Sequence, residues 1–297
     1  MVAKNEPPTA DRELVISRVI HFPRQLVWDA MTDPKHIVNW WGPRGFTTTI
    51  EKMEVRPGGR WKFVMHGPDG ADYPQDCIFT EVEAPERIVY HHSGSKTGEP
   101  IVNSVKTFTF DALEDNSTRV TIRMLFSSRE ERDSVVKTYG AVEGGKQTLA
   151  RLAELLIRQG EPFVIERIYL QPVAKVWPAV STREGIEKWF FDFVGFQPEL
   201  GSEFSFLVEH EGTKYDHRCV VTEVVPEKKI VFTWRYHGHA GDSLVTIELF
   251  PEKDGTRLKL THDGLDNFEK RPEFDRGRFS KGWTSLIGEE LPKSLTA

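Results

Sequence analysis

Val15-Ile16-Ser17-Arg18-Val19-Ile20, closed by Pro23 and followed by Trp28, returns as Val164-Ile165-Glu166-Arg167-Ile168-Tyr169, closed by Pro172 and followed by Trp177. Trp40 returns as Trp189, and the pairs Pro23/Pro172, Trp28/Trp177 and Trp40/Trp189 are each 149 residues apart. That period is too long for a solenoid repeat and fits a whole domain of roughly 50–250 residues, so the chain reads as a duplicated folding unit. Gln159-Gly160-Glu161-Pro162 separates the copies, with Gly able to cap a helix and Pro unable to continue it. The boundaries follow: a polar tail over 1–12, a first module over 13–158, a linker over 159–162 and a second module over 163–297.

Each copy reads in the same order. Glu13 to His21 is β-branched and roughly alternating, a strand that Pro23 ends. Val27, Trp28 and Met31 share a helix face, and Asp33-Pro34 stops that helix and starts another ending near Trp40-Trp41. The Pro57-Gly58-Gly59 and Pro68-Asp69-Gly70 turns punctuate a run of strands: Arg60 to His66, Cys77 to Val82, Arg87 to His92, Ser104 to Phe110 and Arg119 to Phe126. Together they form an antiparallel meander. Leu149, Leu152, Leu155 and Leu156 recur at helical spacing and predict one amphipathic helix over 134–157. The second copy predicts a strand over 163–170, helices over 173–191, a glycine turn at Gly201, strands to His262 and a helix near 279–291. Trp61 and Phe204 are 143 residues apart, so the second copy has lost six residues between its helices and that turn.

Composition excludes several classes of function. Hydrophobic residues make up 38% of the 297, and no apolar run approaches the roughly 18–20 residues of a membrane span. The tail lacks an apolar signal segment, and Cys77 and Cys219 fall in different copies, so reduced thiols in the cytoplasm are expected and a disulfide framework is not. A net charge of −6 without a basic block argues against nucleic acid as a partner. No Cys/His spacing suggests a metal, no Gly-x-Ser-x-Gly elbow suggests a hydrolase, and no cofactor motif is present.

The strand ending in Pro before Val-Trp (Pro23, Val27-Trp28; Pro172, Val176-Trp177) and Trp40-Trp41 carry a resemblance. So do Pro57-Gly58-Gly59, Glu81-Val82 with Pro85-Glu86-Arg87-Ile88-Val89, and Thr261-His262-Asp263-Gly264-Leu265. At these positions the chain resembles the family of activator of heat-shock-protein-90 ATPase homologues, a branch of the START-like (SRPBCC) superfamily. The resemblance implies an α+β fold of two tandem helix-grip modules, each a curved antiparallel sheet around a long C-terminal helix with a cavity between them. Many superfamily members bind apolar or aromatic molecules there, and some are cyclases, aromatases or hydrolases. The family's eukaryotic co-chaperone carries a chaperone-binding domain before a single such module, whereas a short tail precedes two modules here. Architecture is therefore implied more firmly than activity.

On that fold, Trp61, Phe63 and Met65 on the concave face bring Tyr90, His92, Phe108, Phe110, Met124 and Phe126 to the same side by strand alternation, with Trp40 from the helices. The second cavity is expected to hold Trp189, Phe204, Phe206, Phe232, Trp234, Tyr236 and His262. The leading expectation is binding of a small hydrophobic or aromatic molecule without a recognised catalytic set. One alternative is an enzyme on a polyketide-like or aromatic substrate, with His66, Tyr90 or His92 moving a proton; another is a chaperone-associated module. His262 either faces the cavity mouth or ties the following loop to the sheet. Asp115-Asn116-Ser117 and Lys253-Asp254-Gly255 read as hairpin turns, 128–137 as a solvated helix start, and 271–278 as a mixed-charge loop or lid.

Overall fold

The computed structural model describes residues 9–114, 116–210 and 212–296. Most of the tail and Asp115 of the first hairpin turn lie outside the described residues. The chain divides into two units between Leu156 and Ile157.

The first unit runs β1 (Glu13–Ile20), α1 (Arg24–Thr32), α2 (Pro34–Ile37), β2 (Thr47–Met53), β3 (Arg60–His66), β4 (Asp72–Glu83), β5 (Arg87–Gly94), β6 (Val102–Ala112), β7 (Thr118–Phe126), α3 (Arg129–Tyr139) and α4 (Ala141–Ile157). Its seven strands pair in the order β1-β7-β6-β5-β4-β3-β2, so β2 to β7 form a meander and β1 adds itself beside β7. The Asp33 carboxylate accepts the Lys35 N–H at 2.8 Å, and Pro34 occupies the first helical position, where its missing N–H costs nothing. The expected single helix over 134–157 is two. Gly140 adopts a left-handed conformation (φ +58°) that ends α3 and turns the chain into α4. The charged run at 128–137 is therefore a helix in its own right. Ser128 Oγ accepts the Glu131 N–H, and the Glu131 carboxylate accepts the Ser127 N–H in return.

The second unit repeats this plan: β8 (Phe163–Tyr169), α5 (Val173–Ser181), α6 (Arg183–Ile186), β9 (Phe193–Val194), β10 (Glu203–His210), β11 (Thr213–Val225), β12 (Lys229–Tyr236), β13 (Ser243–Glu252), β14 (Gly255–Asp263), α7 (Arg276–Ser285), a π-helical turn at Leu286–Glu290 and α8 (Leu291–Thr296). The strand order β8-β14-β13-β12-β11-β10-β9 is the same. The six lost residues fall at the sheet edge, where β9 has two residues against seven in β2. The 271–278 segment is not a free loop: Phe274 is buried, and Asp275 caps α7 by accepting the Gly277 N–H at 2.8 Å.

One tryptophan bond recurs in both units. Trp40 Nε1 donates to the Ala30 carbonyl at 2.9 Å, and Trp189 Nε1 donates to the Ala179 carbonyl at 2.8 Å. Each pins the end of the second short helix to the first and satisfies an indole N–H that burial would otherwise leave unpaired. Each unit is a helix-grip α+β module. Among the described residues no helix is long and apolar enough to cross a membrane.

Candidate functional site

Strand alternation puts one continuous set of side chains on the concave face of the first sheet. Register places Trp61 opposite Cys77, Cys77 opposite His92, His92 opposite Ser104, and Ser104 opposite Phe126; one step along, Tyr90 faces Lys106 and Lys106 faces Met124. Against this face lie α3, α4 and the 39–46 loop, enclosing a cavity of about 340 Å³. Its walls are largely apolar: Trp41 and Phe46 from the loop, Phe63, Met65, Phe108, Ile122, Met124 and Phe126 from the sheet, and Val135 and Tyr139 from α3.

Two features hold the space open. Gly144 and Gly145 line it from α4, where each Gly costs about 0.8–1 kcal/mol relative to Ala. A Cβ at Gly145 would collide with Ile16 Cδ1, so that glycine lets α4 approach β1; a Cβ at Gly144 would come within 3.3 Å of Pro43. The second feature is Arg151 on α4. Its Nη1 donates to the carbonyls of Gly42 (2.9 Å), Pro43 (2.9 Å) and Phe46 (3.1 Å), and its Nη2 donates to Asn39 (3.3 Å), clamping the loop that carries Trp41 and Phe46. Arg44, beside it, pairs with Glu154.

The cavity has a polar end on β4, β5 and β6. Gln75 Nε2 donates to the Tyr73 carbonyl at 3.2 Å, which leaves Gln75 Oε1 to accept from His92 Nε2–H. In the neutral ring Nδ1 is then a bare acceptor, and it has no partner. Burial, reinforced by the nearby Lys106 charge, holds the His92 pKa well below its usual value. Ser104 Oγ is buried and unpartnered. Lys106 lines the cavity, and burial lowers its pKa as well.

Of the residues expected from sequence, Phe63, Met65, His92, Phe108, Met124 and Phe126 line this cavity. Trp40, Trp61, Tyr90 and Phe110 do not. They form a packed layer within the core, with Trp61 stacked on Phe63 at 4.3 Å and Phe110 edge-on to Trp28 at 5.4 Å. Tyr90 OH and Trp61 Nε1 are buried there without hydrogen-bond partners. His66 is half-exposed and paired with Asp72 (2.7 Å) and Thr49 (2.9 Å), and His91 points to the opposite face. Sequence reading passes over Trp41, Gln75, Ser104 and Lys106. Lys106 carries its own signal, since it alternates with Ser104, Phe108 and Phe110 on one face.

The second module is more tightly filled. A cavity of about 170 Å³ has Trp234, Tyr236 and His217 on the sheet side and Phe274, Phe279 and Trp283 opposite. A second void of about 30 Å³ is lined by Trp189, Phe204 and Phe232 among others, room for a water rather than a ligand. Phe206 lines neither and stacks on His217 at 4.1 Å. His217 is pulled down to a pKa of about 4, chiefly by burial. His262, also in neither lining, is fully buried: Trp283 Nε1 donates to its Nδ1 at 2.9 Å, and its Nε2 lies 2.8 Å from Ser243 Oγ. Because an indole N–H only donates, the proton of the neutral ring sits on Nε2 and is given to Ser243, whose hydroxyl donates onward to the Trp234 carbonyl at 2.9 Å. The chain of donors is complete, and His262 cannot serve Ser243 as a base. It ties α7 to the sheet.

Among the described residues no group of three or more His, Cys, Asp and Glu side chains could hold a metal ion. The family model for activator of Hsp90 ATPase homolog 1-like protein matches residues 21–157 and again 171–296. No curated protein matches the chain. Similar solved structures include a protein of Arthrobacter aurescens determined by NMR, 26% identical, covering 52% of this chain and 92% of that one with a TM-score of 0.46. Protein Ms6760 from Mycobacterium smegmatis is also 26% identical, covering 52% of this chain and 96% of that one with a TM-score of 0.46. DynU16, a protein in the dynemicin biosynthetic locus, is 15% identical over 95% of this chain and 97% of that one, with a TM-score of 0.38. With both copies matched over nearly their whole length, the chain belongs to the activator of Hsp90 ATPase homolog 1-like family, as two tandem START-like modules.

Proposed function

We propose that the first module binds a small apolar or aromatic molecule between its sheet and its C-terminal helices. One observation carries this reading: a cavity of about 340 Å³ with mostly apolar walls. That volume lies within the range of about 300–1,000 Å³ usual for small-molecule sites. The cavity of about 170 Å³ in the second module falls below it. Trp41 lines the cavity and serves as the reporter. Titration with a library of aromatic and lipid-like compounds should quench its emission and raise the melting temperature for at least one chemical class. A library that leaves both unchanged refutes the reading.

A second reading, proton transfer catalysed in the same cavity, is favoured by His92, which lines the cavity and whose buried Nδ1 has no partner. Exchange of the acidic protons of a cyclic diketone into deuterated water, followed by NMR, should then be faster with the wild-type protein than with His92→Gln. Equal rates dispose of it.

A further inference from the structure

Lys106 is the one lysine or arginine among the described residues that line the cavity. The two arginines nearby are already engaged, Arg44 by Glu154 and Arg151 by four backbone carbonyls. The Lys106 ammonium has no ion pair and no hydrogen bond among the described residues, and the groups packed around it from neighbouring strands are Cys77, Tyr90, His92 and Met124, none of them a carboxylate. It is half-buried and lines the cavity. A second polar group faces the same way: Ser104, two residues along the strand, has a buried hydroxyl with no partner. A half-buried cation that faces an apolar cavity without a partner is costly, and folding tolerates it where something else supplies the opposite charge. The walls around this polar end are aromatic and aliphatic, which suits an organic skeleton and not a free inorganic anion.

We propose that the ligand of the first cavity is an amphipathic organic acid whose carboxylate pairs with Lys106 and accepts a hydrogen bond from Ser104, while its apolar body packs against Trp41, Phe108 and Met124. This rests on the cavity-binding reading above and adds the ligand's head group to it. The pairing restores the charged state that burial of Lys106 opposes, so the acid gains an interaction that a neutral compound of the same shape lacks.

The test compares acids with their alcohols on two skeletons, naphthoic acid with naphthalenemethanol and decanoic acid with decanol, by calorimetry on the full chain at neutral pH. The wild-type protein should bind the acid of at least one skeleton about tenfold or more tighter than its alcohol. Lys106→Met should abolish that preference while keeping alcohol binding. An alcohol bound as tightly as its acid by the wild type overturns the proposal without needing any variant, as does a preference that survives in Lys106→Met. Binding of neither acid nor alcohol on either skeleton refutes the cavity reading itself, so the two failures are distinct.

Discussion

Trp283 donates its indole hydrogen to Nδ1 of His262 across 2.9 Å, and that bond fixes the histidine as a neutral ring inside the second module. Burial pulls its pKa down to about 3, and His217 in the same module to about 4. Below about pH 6.5 the unfolded chain therefore binds protons that the native chain refuses. Stability from these groups is fully present above 6.5 and is lost as pH falls toward the native values, by about 1.4 kcal/mol per pH unit for each histidine. Glu13, held near 2 chiefly by its bond to Arg123, begins to lose its contribution only below about 4.5, and Asp263, raised by burial, acts in the opposite sense to the histidines. The urea midpoint of the transition that reports the second module should fall steadily from about pH 6.5 to about 5 at constant ionic strength; a flat midpoint contradicts the account.

Arg151 is expected to matter more than its half-exposed position suggests. Replacing it with Met leaves the carbonyls of Gly42, Pro43 and Phe46 without their donor and should cost about 2 kcal/mol, read by denaturant unfolding. Arg151→Lys should recover only part, because an ammonium lacks the guanidinium fork that reaches several carbonyls at once. Ligand response should weaken along with it, since Trp41 and Phe46 ride on the clamped loop.

Ser104→Ala removes a buried hydroxyl that has no partner in the ligand-free protein. The variant should be as stable as the wild type or more stable by about 1 kcal/mol, measured by thermal melting without ligand. A loss of that size would mean that Ser104 is bonded to ordered water.

Gly144→Leu should fill the cavity from its helical side. Helix propensity favours the change, Gly144 lines the cavity, and Pro43 Cγ, 3.3 Å from the new Cβ, has to give by only a few tenths of an ångström. Unaltered far-ultraviolet circular dichroism with at least a tenfold loss of ligand response is the expected result. Undiminished binding would place the ligand elsewhere.

The duplicated strand–helix opening and the glycine turns made the two-module fold readable, because Pro23, Trp28 and Trp40 recur in the second copy as Pro172, Trp177 and Trp189. The site was harder to read. Its aromatic walls follow from strand alternation, yet alternation alone cannot separate side chains that line a cavity from those that pack beneath it; Trp61 and Phe63 share a face, and only Phe63 reaches the space. Trp41 differs from Trp40 by one position on a short helical end, too little for periodicity to resolve. Tyr73 and Gln75 lie in the first part of β4, where Pro74 disguises the strand. Pro74 is accommodated because β5 begins its pairing only at Gln75, opposite Gly94. Lys106 is invisible to apolar patterning, although an inward-facing charge is the more informative signal.

The repeated indole bond, Trp40 to Ala30 and Trp189 to Ala179, gives the chain a built-in reference. Four of the eight tryptophans belong to each copy. A solute that perturbs protein emission indiscriminately acts on both sets, while a true occupant of the larger cavity acts on one. Silencing Trp41 by Trp41→Phe should therefore erase the specific signal and leave the nonspecific one, so that gene duplication supplies each titration with its own blank.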